Sequence, residues 1–284
     1  KDKIPPKERF YFHDDVYRET EEDLNHLVEV LEDFGVKVHR PKTIKTDSVV
    51  SNGHWNTDQY YTFCPRDTMT VIGDTIIEAP MTLRSRQFET DAYRELFIEY
   101  MENGAKWICA PKPRLTDDSY QREDLSKLTL TEVEPVFDAA NILRHNDDIL
   151  YLNSNTGNYK GYLWLKNILG DKYKVHFLEN MYSTIAILRD GLVLLNPDRV
   201  NDNNMPELFK TWDKIYSPPM VDIGYKGVLR ASEWVGINLL SLDENTVIVD
   251  NRQKELIKEL KKHNIEALDC MIRHSRTLGG SFHC

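Results

Sequence analysis

Apolar positions along the chain switch repeatedly between helical and strand periods. Leu24, Leu27, Val28, Leu31 and Phe34 recur at helical spacing, Gly35 offers a stop, and residues 36–40 read as a strand. A polar loop runs on to Asp67, and two apolar runs within residues 70–78, folded about Gly73-Asp74, predict a tight hairpin. The same order of helix, short strand, polar loop and hairpin then returns. A helix is expected over 88–103 with a stop at Gly104, a strand over 106–110 and an apolar run over 149–152. A third unit has a helix over 162–169, a stop at Gly170, a strand over 173–178 and a hairpin turning at Arg189-Asp190-Gly191. The fourth is weaker, with 206–212, 214–217 and a hairpin within 235–249 turning near Asp243-Glu244-Asn245. A fifth has a helix over 252–263 and a strand over 265–269.

Five helix-strand modules of similar size suggest a closed, circularly repeated α/β fold, because each unit has an apolar face that only its neighbours can cover. An ordinary doubly wound α/β sheet fits the pattern equally well. No GxGxxG or GxxxxGK[ST] stretch favours nucleotide binding.

Composition narrows the function classes. The 284 residues are 40% hydrophobic and 29% charged, as in soluble globular proteins, and no apolar run approaches the roughly 20 residues that span a bilayer. The opening KDKIPPKERFYF lacks the apolar core of an export signal. Cys64, Cys109, Cys270 and Cys284 lie far apart without metal-ligand spacing, which suggests neither a zinc site nor a disulfide framework and makes a cytoplasmic setting the default. A net charge of -10 argues against a nucleic-acid backbone as partner and is compatible with a small cationic substrate.

In a ring of such modules the loops after each strand open at one end, where a site is expected. They carry Pro65-Arg66-Asp67, Glu134 to Asp138, Ser232, and Gly279 to Cys284. Two carboxylates near a thiol suit guanidinium chemistry, since a planar guanidinium presents paired N–H donors to carboxylates. Each residue also has a plain reading: Asp67 as a turn residue, Asp138 as the cap of a short helix over 139–141, and Cys284 as an unremarkable cysteine.

At these residues the chain resembles the glycine and inosamine-phosphate amidinotransferase family. The resemblance rests on CPRD at 64–67, IIEAPMTLRSRQFE at 76–89, GAKWICAPKP at 104–113 and EPVFDAAN at 134–141. It continues through LLNPDRV at 194–200, ASEW at 231–234 and TLGGSFHC at 277–284. It implies a five-module, pseudo-symmetric α/β propeller of the pentein type, residues 1–284 forming one catalytic domain. It implies an enzyme that moves the amidino group of L-arginine to a primary amine, such as glycine, an amino-cyclitol or a natural-product intermediate, and releases ornithine. Cys284 is then the nucleophile and Asp138 its catalytic carboxylate. Asp67 binds the guanidinium, Arg199 holds the donor's α-carboxylate, Ala231 and Ser232 meet its amino-acid end, and Tyr61 lies near the pocket. No metal or organic cofactor is implied, no membrane or nucleic acid is a partner, and a homodimer is an allowed assembly. Arg84 and Arg86 also match and fit either module-bracing ion pairs or the site.

One departure matters for the mechanism. The family carries a His-x-Asp in the third unit's loop, and that histidine is its acid/base. Here the loop is only Glu179 to Ser183, without histidine or aspartate, and His176 aligns with the preceding strand as a structural residue. His283 neighbours the nucleophile but, in an extended segment, would face the other way. The short third loop, and a fifth unit without its hairpin, lead to the expectation that the natural polypeptide carries further residues between about Tyr182 and Thr184, the histidine among them, and beyond Cys284. Two alternatives stand beside transfer: an arginine-deiminase-like hydrolase, and a guanidine-binding protein without the acid/base group.

Overall fold

The computed structural model describes residues 12–46, 48–124, 126–179 and 185–284. The chain divides into two compact units, one of residues 41–182, the other of residues up to 40 together with 183–284. In chain order, α1 (Asp14–Asp33) opens the second of these. The 41–182 unit follows with β1 (Val49–Ser51), β2 (Asn56–Asp58), the one-turn α2 (Pro65–Thr68), β3 (Met69–Ile72), β4 (Thr75–Glu78), α3 (Arg94–Glu102) and β5 (Lys106–Cys109). It ends with β6 (Ile142–His145), β7 (Asp148–Leu152), α4 (Tyr159–Leu169) and β8 (Lys174–Leu178). The chain then adds β9 (Ile185–Arg189), β10 (Leu192–Leu195), β11 (Asp213–Tyr216), β12 (Leu240–Ser241), β13 (Thr246–Asp250), α5 (Lys254–Lys262), β14 (Glu266–Cys270) and the short α6 (Ser275–Leu278).

The repeat is real, but its phase differs from the sequence reading. Each three-stranded sheet is a hairpin followed by a strand that returns parallel to the hairpin's second strand: β3-β4-β5, β6-β7-β8, β9-β10-β11 and β12-β13-β14. Ile77 pairs with Ile108, Leu150 with His176, Leu194 with Ile215 and Ile248 with Leu268. Parallel pairing needs a crossover, which α3, α4 and α5 supply in three of the four. Residues 36–40, expected as a strand, form none. Among the described residues no hairpin precedes α1 to offer them a parallel partner.

The middle strands explain the apolar runs. β10 and β13 are buried at every residue, and β4 and β7 at all but the first, because both edges are paired and both faces covered. Two polar residues at the ends of these strands are buried as well and anchor the next segment. Glu78 accepts from the Trp107 Nε1 at 2.7 Å and from Arg94 at 3.3 Å, and Asp250 chelates Arg252 at 2.6 and 2.7 Å.

Three helices differ from expectation for local reasons. Between β10 and β11 only a 3-10 turn, Glu207–Phe209, stands where a helix over 206–212 was expected; Phe209 is fully buried and meets the Trp212 ring edge-on, ring centres 5.1 Å apart. The helix expected from residue 88 begins as a 3-10 segment, Glu89–Tyr93, whose first residue turns inward to an ion pair, and becomes α-helical at Arg94. α4 starts earlier, at Tyr159, because the Asn158 side chain caps it, accepting the Gly161 N–H at 3.0 Å. A side chain at Gly161 would meet the Tyr151 hydroxyl at 2.4 Å, which explains the glycine there.

Candidate active site

The 41–182 unit gathers its acidic candidates around one arginine. Pro65 starts α2 in the position that tolerates a missing N–H, and Asp67 sits in that single turn with its own N–H on the Cys64 carbonyl at 3.2 Å. Arg66 reaches the Ile142 carbonyl at 3.0 Å, tying α2 to the 3-10 turn Ala139–Asn141 that Asp138 precedes. Between them lies Arg86, buried, with its NH1 on Asp67 Oδ2 at 2.7 Å. Its Nε and NH2 grip both Glu89 oxygens at 2.5 and 3.0 Å, and the guanidinium lies 5.7 Å from the Tyr60 ring centre. Burial works against the Arg86 charge, yet Glu89, Asp67 and Asp138 outweigh it and hold the guanidinium above its ordinary value. Burial likewise pushes the Glu89 carboxyl up, against the pull of Arg86.

Asp138 is buried and stands at the N-cap position of its 3-10 turn, but its side chain makes no cap bond. The plain reading as a helix cap is thereby corrected. Its Oδ1 instead accepts the N–H and the hydroxyl of Thr82, both at 3.0 Å, while Oδ2 accepts none among the described residues. The backbone is fixed from below: the Asp138 N–H donates to the Thr156 carbonyl at 2.7 Å, and Asn141 spans Thr156 and Asp138. Burial pushes the Asp138 carboxyl up to about 7, with Arg86 pulling it down and Asp67 pushing it further up. Thr82 is aimed by Met81, a fully buried non-glycine residue at φ 54°. Such backbone costs energy and persists where surroundings impose it.

The two matching arginines separate. Arg84 braces the neighbouring loop, donating to the Leu115 carbonyl at 2.8 Å and to Asp117 at 2.6 Å, with Tyr120 and Trp55 rings 5.7 and 6.0 Å away. Arg86 belongs to the carboxylate cluster. Tyr61 stacks on Tyr60 with ring centres 4.2 Å apart, the hydroxyls 3.0 Å from each other. His176 lies in β8, 2.6 Å from Asp148 at the start of the paired strand β7, a structural pairing.

The other unit presents the thiol on a turn. α6 ends at Gly279 in the left-handed region, φ 88°, and the Gly280 N–H returns to the Ser275 carbonyl at 3.0 Å. The Cys284 N–H then closes a turn on the Ser281 carbonyl at 3.1 Å. Residues 281–284 are therefore not extended, and the alternation that would turn His283 away does not apply to them. Cys284 is half-buried, with the Asn238 Nδ2 2.6 Å from its Sγ.

Arg199 stands half-buried on the turn after β10, its N–H on the Asn196 carbonyl at 3.2 Å. The Ala231 N–H donates to the Arg276 carbonyl at 3.2 Å, and its own carbonyl accepts from Arg276 Nε at 3.2 Å. Ser232 is exposed and precedes the 3-10 turn Glu233–Ile237 without capping it through its side chain. Thr82, Arg86 and Asn238 are the residues that sequence reasoning passed over or left unassigned. All three lie inside or just beyond matching motifs, which was the available signal. Among the described residues no cluster of three or more His, Cys, Asp or Glu is poised for a metal, and no helix is long and apolar enough to cross a membrane. The segment 180–184, where additional residues and the histidine were expected, lies outside the described residues.

No family model matches the chain. It is 46% identical over 280 residues to inosamine-phosphate amidinotransferase 1 of Streptomyces glaucescens, covering 96% of this chain and 80% of that protein. It is 38% identical over 276 residues to L-arginine:L-lysine amidinotransferase of Pseudomonas savastanoi pv. phaseolicola, covering 92% and 76%. Its backbone matches the solved inosamine-phosphate amidinotransferase of Streptomyces griseus with a TM-score of 0.94 at 46% identity, over 96% of this chain and 80% of that one. A dimethylarginine dimethylaminohydrolase shares the α/β pentein fold at a TM-score of 0.64 and 13% identity, over 90% of this chain and 87% of that one.

Proposed function

The chain belongs to the amidinotransferase family, a transferase that moves the amidino group of L-arginine to an amine, and we propose that Cys284 carries the group between the two. The thiolate attacks the guanidinium carbon, forming a C–S bond and a tetrahedral intermediate. Its collapse breaks the bond to the ornithine nitrogen, which takes up a proton as it leaves. The acceptor amine then attacks the amidino-cysteine and loses a proton, and the thiolate is released. Proton uptake and loss balance over the cycle, and donor and acceptor use the site in turn.

In this reading Asp138 holds the substrate's N–H groups through its open oxygen and balances the guanidinium charge. A carboxyl pushed up to about 7 is easily ionised by an arriving cation, so donor binding and Asp138 ionisation are linked. Asp67 offers its Oδ1, since Oδ2 is taken by Arg86. Arg199 receives the donor's α-carboxylate, Ala231 and Ser232 its amino-acid end, and Tyr61 flanks the pocket. The family's proton carrier is a histidine of the loop after β8; residues 179–184 of this sequence contain none, and in this reading the natural polypeptide supplies it in further residues between about Tyr182 and Thr184. Residues 1–284 act as one catalytic domain in the cytoplasm without metal or organic cofactor, and a homodimer is compatible with this.

The observation that carries the reading is 46% identity spread across 96% of the chain. The higher identity to the inosamine-phosphate enzyme than to the lysine enzyme favours an amino-cyclitol acceptor over an amino acid. Labelled arginine offered with a panel of amino-cyclitol phosphates, lysine and glycine, and read by mass spectrometry, tests it. Ornithine and a labelled guanidino product are expected. Citrulline formed without acceptor replaces transfer with hydrolysis, and unchanged arginine in every arm overturns both.

A further inference from the structure

Beside the nucleophile proposed above lies a side chain that no motif singled out. Asn238 directs its Nδ2 at the Cys284 Sγ from 2.6 Å. Its neighbours Ile237 and Leu239 are 0% and 1% exposed and sit in the apolar core of their unit, so the segment that carries Asn238, just after the 3-10 turn Glu233–Ile237, is anchored on both sides. The preceding turn is equally constrained. The Asn238 N–H closes on the Val235 carbonyl at 3.0 Å, and a Cβ at Gly236 would come within 2.9 Å of Gln253 and Met220. On the other side Cys284 is held by the left-handed Gly279 and by the bond from its own N–H to Ser281. Two short, backbone-fastened segments thus bring one amide and one thiol together.

The chemistry of that contact is specific. A thiol attacks as the thiolate, and a donor N–H on sulfur favours the ionised form. The amide itself brings no full counter-charge to the sulfur, and a thiol that is not made strongly acidic keeps its nucleophilicity. It also restricts the sulfur to one rotamer, which shortens the search for attack geometry. We propose that Asn238 is a catalytic residue of this chain, its amide N–H orienting the Cys284 sulfur and stabilising its thiolate for attack on the guanidinium carbon. The inference rests on Cys284 being the nucleophile.

The test follows the pH dependence of Cys284 alkylation by iodoacetamide, mapped by peptide mass, in wild type, Asn238→Ala and Asn238→Asp. Loss of one hydrogen bond to a charged sulfur moves the alkaline-rising limb up by about one pH unit, so Asn238→Ala reacts about tenfold more slowly at neutral pH. The two rates converge once both thiols are ionised. Asn238→Asp keeps the shape and sets a negative charge against the sulfur, moving the limb further up; it carries the test if the alanine variant does not fold. Profiles that superimpose on wild type, or shift downward, overturn the proposal. A separate incubation of wild type with arginine locates the amidino adduct. An adduct on Cys64, Cys109 or Cys270 refutes the functional reading and, with it, the catalytic role of Asn238. An adduct on Cys284 with unshifted profiles refutes the Asn238 assignment alone.

Discussion

The carboxylate cluster of residues 41–182 and the thiol turn of the other unit solve opposite problems. Asp67, Glu89 and Asp138 bring negative charge into a buried place, and Arg86 is the counter-charge that makes this tolerable, since a buried carboxylate without partner is costly. Cys284 needs no counter-ion of that kind, because a thiol is neutral until it reacts. Its turn is set by backbone hydrogen bonds, one left-handed glycine and a neutral amide. The first region is organised by side-chain charge and the second by main-chain geometry, so they should fail in different ways when perturbed.

The largest contrast comes from removing the proposed nucleophile. Cys284→Ala is expected to cut turnover on the order of 10⁶-fold while leaving the unfolding midpoint and arginine binding close to wild type. Calorimetric titration alongside a product assay checks this, and turnover within about a hundredfold breaks the assignment. In the charged region the main effect should instead be on stability. Arg86→Met strands Glu89 and Asp67 and should cost about 3–5 kcal/mol in urea unfolding; a loss under about 1 kcal/mol would mean that the cluster does not depend on its arginine.

Asp138→Asn separates charge from shape, because the amide keeps the volume. Activity should fall about a hundred- to a thousand-fold, corresponding to about 3–4 kcal/mol of transition-state stabilisation. Stability should move the other way with pH. A folded carboxyl raised to about 7 from 3.8 binds more protons than the unfolded chain between those values, so wild type loses stability as pH rises through that window. The asparagine variant lacks this loss, and its unfolding free energy relative to wild type should improve from pH 4 to pH 8. A constant difference would remove burial as the cause. The smallest effect is expected at the backbone: Gly279→Ala forces a side chain into φ 88°, 3.2 Å from the Arg230 Cβ, and should cost about 1–2 kcal/mol in thermal unfolding. A neutral result would show that the turn relaxes without its glycine.

The sequence by itself determined the repeat and most of its strands. Apolar runs such as Ile149 to Leu152 and Leu192 to Leu195 have no other use than a strand buried on both faces, and Gly73 and Gly191 mark turns that most residues resist. Motif order was enough to point to Asp67, Asp138 and Cys284, since each lies within a short stretch whose residue types are specific. Pairing was another matter. Period-2 patterning says that a strand exists and not which strand it joins, so β5, β8, β11 and β14 could not be assigned to the hairpins before them until the sheets were formed. The partners of the site residues were hidden for the same reason: Thr82 meets Asp138 across 56 positions and Asn238 meets Cys284 across 46. Contacts at such separations follow from sheet pairing and from the unusual backbone of Met81 and Gly279, which only the packed chain imposes.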